Sequence, residues 1–225
     1  MVLITGYQVK KINIIYEDKY LIVVYKPKGM LTIRGNNHND NNLYDEVKTY
    51  LKRKNPKNKV FIVHRLDKDT SGLIVFSKSE KVKYELQNNW HDVIRRYYAV
   101  VCGKFIENTT LKDYLYESKS LDVFITKDKE KGKLAITNVE VLAYNNKYSI
   151  LDINILTGRK NQIRVQLASR GYPILGDKKY GIKKYPRMML DAYYLKFKHP
   201  VLNTICEFKM PMDSLMENFI KKSCN

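Results

Sequence analysis

The sequence predicts an α+β domain built on a mixed, mainly antiparallel sheet flanked by helices and loops. Three observations predict it. Continuous apolar, β-branched runs at residues 20–25 and 73–76 have the length of buried strands. Residues 139–144 and 148–156 flank Asn145-Asn146-Lys147 like the two arms of a hairpin. Helical periodicity is sparse and confined to short windows, so strand arms adjoin one another instead of alternating with long helices.

In chain order, the run 20–25 ends at Lys26-Pro27, where proline cannot continue a ladder. The tract 35–42 is rich in turn formers and reads as a loop. Leu43, Val47 and Leu51 recur at i, i+4 and i+8, an amphipathic helix that stops before Pro56. Residues 52–59 read as a basic, proline-broken connection. Ser79 before Glu80 opens a helix with Val82 and Leu86 on one face. Residues 95–102 read as a strand, and 103–133 as an irregular excursion with short strands. In the second hairpin arm Leu151, Ile153 and Ile155 alternate with Asp152 and Asn154, the pattern of a half-buried strand. Residues 160–170 read as a helix closed by Gly171, and 214–221 as a last helix.

The chain has 225 residues, enough for one domain, and is 44% hydrophobic, which argues against disorder. The longest clean apolar run, residues 21–25, is far short of the ~20 residues of a membrane helix. The start shows no charged segment followed by an apolar one, so no secretion signal is visible. Cys102, Cys206 and Cys224 are odd in number and widely spaced, which fits a reducing cytoplasm and no metal or disulfide framework. The net charge of +18 fits a polyanionic partner such as nucleic acid. A bias toward Lys and Asn would produce the same charge, since the chain carries 32 Lys and 19 Asn against 9 Arg.

Three segments concentrate chemistry. Residues 63–76 carry acid, base and hydroxyl groups in a loop feeding an apolar strand, which puts a carboxylate at the edge of the core; a turn capped by Asp67 or Asp69 would look the same. On a helix over 160–170, Ile163 and Leu167 share an apolar face, and Asn161, Arg164 and Ala168 share another. That fits an arginine reaching into a site and fits a basic surface helix equally. In a strand over 95–102, Tyr97 faces either the core or a base. Five of the nine arginines (Arg65, Arg95, Arg96, Arg159, Arg164) lie in these segments, whereas the rest of the chain takes its positive charge mostly from lysine. Arginine differs by its planar fork, which suits carboxylate and phosphate. No phosphate-cradling P-loop, dinucleotide fingerprint, zinc deaminase pattern or Gly-x-Ser-x-Gly elbow occurs.

These residues resemble the RluA-type RNA pseudouridine synthases. His64-Arg65-Leu66-Asp67 with Thr70-Ser71-Gly72 is similar to the family's H-R-L-D-x-x-T-S-G motif. Around it stand Tyr16-Glu17-Asp18 with Lys26-Pro27-Lys28-Gly29, Tyr97-x-Ala99 with Gly103, and Lys133-x-Ala135-x-Thr137. Thr157-Gly158-Arg159 with Gln162-Ile163-Arg164 follows, then Gly176-Asp177, Tyr180-Gly181, Leu190-x-Ala192 and His199-Pro200. The resemblance runs in order from about residue 14 to about 212. Asn161, Gln166 and Asp191 stand where the family usually has His.

The resemblance implies a single catalytic domain over 1–225 with a central active-site cleft; the chain begins almost at the catalytic motif, so no separate S4-like RNA-binding domain, such as many relatives carry in front, is expected. It implies isomerisation of uridine to pseudouridine in ribosomal or transfer RNA with no cofactor, and the cost of extruding a base makes a stem-loop the expected substrate. The cysteine usage and the short apolar runs predict a cytoplasmic protein with no metal and no membrane partner, and a monomer is the default expectation. Asp67 is the implied catalytic carboxylate, adding to the sugar or taking a sugar proton. Arg164 is its implied ion-pair partner, which keeps it ionised. Tyr97 is the implied stacking partner of the uracil and a candidate base for the C5 proton. Arg65, His64, Thr70, Arg159 and Gln162 are the implied substrate-binding residues, Arg65 filling the gap left by the flipped nucleotide. The residues leave two alternatives: a non-catalytic RNA-binding or assembly protein on the same fold, and an N-glycosidase that would release free uracil.

Overall fold

A computed structural model describes residues 12–35, 41–181 and 185–221. Most of the loop tract 35–42, the first eleven residues, His38 and Cys224 lie outside the described residues. The elements in chain order begin with β1 (Asn13–Glu17), β2 (Leu21–Lys26), α1 (Leu43–Lys54), β3 (Phe61–Ile62), β4 (Ser71–Ser77) and α2 (Glu80–Asn88). A 3-10 turn at Trp90–Asp92 leads to β5 (Ile94–Cys102), β6 (Thr109–Glu117), β7 (Val123–Thr126), β8 (Lys133–Tyr144) and β9 (Tyr148–Ile155). The chain closes with α3 (Gln162–Ala168), β10 (Leu190–Lys198), β11 (Ile205–Lys209) and α4 (Ser214–Lys221).

The strands form one sheet in the order β1-β2-β4-β10-β5-β9-β8-β6-β7, with β3 beside β4 and β11 beside β10. Strand pairing is antiparallel throughout the described residues except between β4 and β10. The mixed, mainly antiparallel α+β expectation holds. At the parallel junction Ser71 and Gly72 lie opposite Asp191 and Ala192. Gly72 has φ +127°, and a Cβ there would come within 2.4 Å of the Ala192 backbone. Only glycine permits both that φ and that approach.

Helices cover both faces, so the strands read as unbroken apolar runs at the centre. On one face Leu43, Val47 and Leu51 of α1 and Ile163 and Leu167 of α3 pack on Ile74, Phe76, Tyr97 and Ile153. On the other, Val82 and Leu86 of α2 pack on Leu73 and Val75, and Met216 of α4 packs with Val100 and Ile150. Asn42 caps α1, its side chain accepting from the Asp45 amide, and Ser79 caps α2 in the same way through the Val82 amide.

Four expectations need correction. The basic run 52–54 is the last turn of α1, placed where cations meet the helix dipole, and the connection begins only at Asn55. The excursion after Gly103 contains β6, a full nine-residue sheet strand whose exposed positions hold mostly Thr, Lys and Glu and so mask the alternation, and the short strand β7, which exposes Phe124 and Ile125. β9 is covered on both faces, and its Asp152 is buried by Arg96 Nε at 2.9 Å and the Tyr193 hydroxyl at 2.7 Å. The helix expected from 160 starts at Gln162, because Asn161 adopts the left-handed conformation at φ +53°. It is no surface helix: Gln162 through Leu167 are all buried.

Candidate active site

The loop 63–70 joins β3 to β4 and is pinned along its whole length. His64 Nε2 accepts from the Val75 amide at 3.2 Å. The Thr32 hydroxyl donates to the Leu66 carbonyl at 2.7 Å and accepts from the Leu66 amide at 3.1 Å. The Thr70 amide donates to the Asp67 carbonyl at 3.2 Å, closing a turn. Behind that turn lies Lys26, fully buried, whose ammonium donates to the carbonyls of Pro27, Met30 and Lys68. Leu66 is buried as the loop's apolar anchor, and the side chain of Asp67 keeps about a third of its surface open to the cleft.

α3 supplies the cation. Arg164 donates from Nε and Nη2 to the two carboxylate oxygens of Asp177, at 2.7 and 2.8 Å. Its Nη1 donates to Asn161 Oδ1 at 2.8 Å and to Asp67 Oδ2 at 3.2 Å. The guanidinium also lies over the ring of Tyr180, 5.2 Å from its centroid. Burial pushes the pKa of Asp177 up, but the Arg164 fork and the amides of Lys179 and Tyr180 outweigh it and hold the carboxyl below its usual value. Burial acts against the charge on Arg164 as well, and the two aspartates more than restore it. The sequence-predicted pair Asp67–Arg164 is therefore brought together, within a triad whose third member, Asp177, is not among the expected site residues. Its signal in the sequence is the Gly176-Asp177 dipeptide. Gly176 has φ +78°, with the Arg187 carbonyl packed where a side chain would stand.

Tyr97 forms part of the cleft floor from β5. It is 7% exposed, sits in the same apolar cluster as Leu66 and Ile163, and has its pKa pushed up to about 12 by burial and the Asp67 charge, against the pull of Arg95. His64 rests against Trp90 with ring centroids 4.7 Å apart, and burial together with the Arg95 charge holds its pKa down to about 3. It is therefore a neutral ring at any ordinary pH.

The cleft between loop 63–70, β5 and α3 has a volume of about 650 Å³. It is lined by Asp67, Tyr97 and Arg164 and by Arg65, His64, Thr70, Arg159 and Gln162, so every expected site residue reaches it. Arg65 is exposed at its rim and Thr70 is buried in its wall. Gln162 spends its amide on protein: it accepts from the Thr157 hydroxyl and the Arg159 amide, and donates to the Ile136 carbonyl and the Thr137 hydroxyl. Arg159 donates from Nε to the Leu134 carbonyl. Of the five arginines singled out in the sequence, four line the cleft; Arg96 points to the opposite face and pairs with Asp152 and Glu140.

The three positions where the family usually has His are all engaged. Asn161 bridges Arg164 and Tyr180. Gln166 accepts from Thr137 and donates to Asp113. Asp191 accepts from the hydroxyls of Ser71 at 2.6 Å and Tyr25 at 2.7 Å, and its burial raises its pKa.

A family model described as RNA pseudouridylate synthase matches residues 20–169. An uncharacterized RNA pseudouridine synthase of Mycoplasma genitalium is 32% identical over 222 residues, covering 94% of this chain and 70% of the relative. A ribosomal large subunit pseudouridine synthase C of Buchnera aphidicola is 31% identical, covering 92% of this chain and 69% of the relative. Among solved structures, human RNA pseudouridylate synthase domain containing 4 superposes with a TM-score of 0.77 at 19% identity, covering 94% of this chain and 93% of that one. That likeness speaks for the fold.

Proposed function

The chain belongs to the RNA pseudouridine synthase family, and from that premise we propose that Asp67 is the carboxylate with which it isomerises uridine in structured ribosomal RNA. The chemistry breaks the glycosidic C–N bond, turns the uracil within the cleft and rejoins it through C5. A proton leaves C5 and one returns to nitrogen, so the reaction is balanced without a redox partner. The observation that carries the assignment is the Asp67–Arg164–Asp177 arrangement. Asp177 balances the buried Arg164 charge through two N–H groups, Asn161 takes a third, and a further N–H of Nη1 is directed at Asp67 in the cleft. Arg164 fixes the orientation of Asp67 while leaving a third of its surface free to meet the sugar.

Tyr97 offers a ring face to the uracil, and its hydroxyl is held protonated at neutral pH, so it enters the reaction as a hydrogen-bond donor. Exposure at the rim supports Arg65 as the residue that occupies the space of an extruded nucleotide. Arg159 borders the same opening and adds charge toward the RNA backbone. Among the described residues no helix is long and apolar enough to cross a membrane, and Cys102 and Cys206 are free thiols. The free thiols support action in a reducing compartment such as the cytoplasm.

The test is tritium release from ribosomal RNA labelled at uridine C5. Wild type releases tritium and forms pseudouridine without free uracil; Asp67→Asn releases none, and Asp69→Asn retains activity. Full activity in Asp67→Asn with loss in Asp69→Asn assigns the carboxylate to the wrong aspartate. Binding without release in the wild type shows an RNA-binding protein on this fold, and free uracil shows a glycosidase.

A further inference from the structure

Three arginines are buried among the described residues: Arg95, Arg164 and Arg187. Arg164 has Asp177 and Asp67, and Arg187 has Asp213. Among the described residues the Arg95 guanidinium has no carboxylate and no hydrogen-bond partner; its Nε is enclosed, and its two terminal nitrogens are left toward the cleft. Leaving a guanidinium mostly buried and unpaired is costly, because the charge loses much of its water and gains no anion. Burial accordingly lowers its pKa.

The surroundings make a defined recess. Arg95 precedes Tyr97 by two residues on β5, so both side chains project from the same face into the cleft. The guanidinium carbon lies 5.4 Å from the centroid of the Trp90 ring, which in turn packs on the neutral His64. On another side, a Cβ at Gly158 would sit 3.0 Å from Arg95 Nη1, so the bare Thr157-Gly158-Arg159 turn lets the guanidinium lie close against it. The recess therefore holds one uncompensated cation with a planar fork of donors, between apolar and uncharged walls, next to the reacting position.

We propose that Arg95, backed by Trp90 and Gly158, is a phosphodiester-binding site for the RNA strand beside the reacting uridine. It rests on the isomerase reading and adds to it a backbone anchor inside the cleft. Phosphate is the anion that an RNA brings to every nucleotide, and arginine takes it bidentately. The bases offer only neutral acceptors, which would leave the buried charge uncompensated. Docking the phosphate supplies the missing counter-charge, so the unfavourable burial in the free protein is relieved only when RNA is bound.

The experiment compares wild type with Arg95→Met and Arg95→Lys, using a transcript of large-subunit ribosomal RNA tritiated at uridine C5. Arg95→Met keeps the side-chain volume and removes the charge. Its melting temperature equals or exceeds that of wild type, its KM rises about tenfold, and its plot of log affinity against log salt becomes shallower by about 0.7–0.9, the contribution of one phosphate contact. Arg95→Lys keeps the wild-type salt slope. An Arg95→Met protein that folds and retains the wild-type slope and KM overturns the proposal. The wild-type protein gives an independent reading: bound RNA shields Arg95 from phenylglyoxal, read by mass spectrometry, and equal modification with and without RNA also overturns it. The salt slope needs no turnover. An Arg95-dependent slope without tritium release sinks the isomerase reading and keeps this site; normal release with an unchanged slope does the reverse.

Discussion

Arg164 and Asp177 form a two-pronged ion pair, at 2.7 and 2.8 Å, in which the carboxylate is wholly buried and the guanidinium nearly so. The pair is what makes the third contact, Arg164 to Asp67 at 3.2 Å, a directed one. A lysine at 164 could hold one aspartate as a point charge but not span both. Arg164→Lys is expected to lose at least 100-fold in kcat, with circular dichroism showing an intact fold. Asp177→Asn removes one partner of a buried pair and is expected to cost about 3–5 kcal/mol of stability, read by urea unfolding. Its folded fraction, assayed at low temperature, loses kcat far more than KM. An active Arg164→Lys enzyme would remove the geometric argument.

Among the described residues the Tyr97 hydroxyl has no hydrogen-bond partner, although the residue is 7% exposed and the ring is packed in the core. Tyr97→Phe therefore keeps the ring and is expected to keep thermal stability and RNA affinity. Loss of a hydrogen bond to the uracil lowers kcat about tenfold, the equivalent of about 1.4 kcal/mol. The pKa near 12 adds a second expectation: the rate has no alkaline limb from this phenol below that pH. Unchanged turnover in Tyr97→Phe would confine the residue to stacking.

Which parts of this were legible beforehand follows from how local their causes are. β2, β4, α1 and α2 were readable because Leu21 to Tyr25, Leu73 to Phe76, Leu43/Val47/Leu51 and Ser79/Val82/Leu86 each carry their own periodicity or cap. Asp152 was not readable as buried, because its partners Arg96 and Tyr193 come from two other strands. The choice between a surface and a buried α3 was undecidable from its spacing, since Gln162, Arg164 and Gln166 are polar. They are buried because Thr137, Asp177 and Asp113 meet them there. The Asp67–Arg164 pair became visible only through motifs 97 residues apart, and Asp177 had no local mark beyond the glycine before it.

His64 gives a prediction with a fixed sign. Its pKa is held down to about 3 in the folded protein, against about 6.5 in an unfolded chain. Between those values the unfolded chain binds the extra proton, so stability falls as pH drops through 6.5 toward 3. Above 6.5 the group is neutral in both states and contributes no slope. His64→Gln, whose side-chain oxygen can accept from the Val75 amide, is expected to lose part of this acid sensitivity when urea midpoints at pH 7 and pH 5 are compared. The same neutrality predicts that kcat/KM shows no limb near pH 6.5 due to His64. A wild-type limb there that vanishes in His64→Gln would contradict it.

Lys26 governs the loop from behind. Its ammonium has three N–H groups and donates to three carbonyls, one of them that of Lys68, immediately after Asp67. Lys26→Met leaves those carbonyls with no replacement donor in a fully buried space, at about 1–3 kcal/mol for each one stranded. The expected result is a lower melting temperature and a kcat reduced at least tenfold, because the turn holding Asp67 loses its inner support. Burial pushes the Lys26 pKa down to about 8, with the charges of Asp69 and Asp67 opposing the shift. The unfolded chain holds this proton to about 10.5, so by linkage alone this group makes the fold more stable as pH rises from 8 to 10.5. Activity is expected to move the other way, since a neutral amine has two N–H groups for three acceptors. The wild-type rate should therefore decline above pH 8 while the melting temperature shows no matching loss from Lys26. A Lys26→Met protein with wild-type kcat would show that the loop is held by Thr32 and His64 alone.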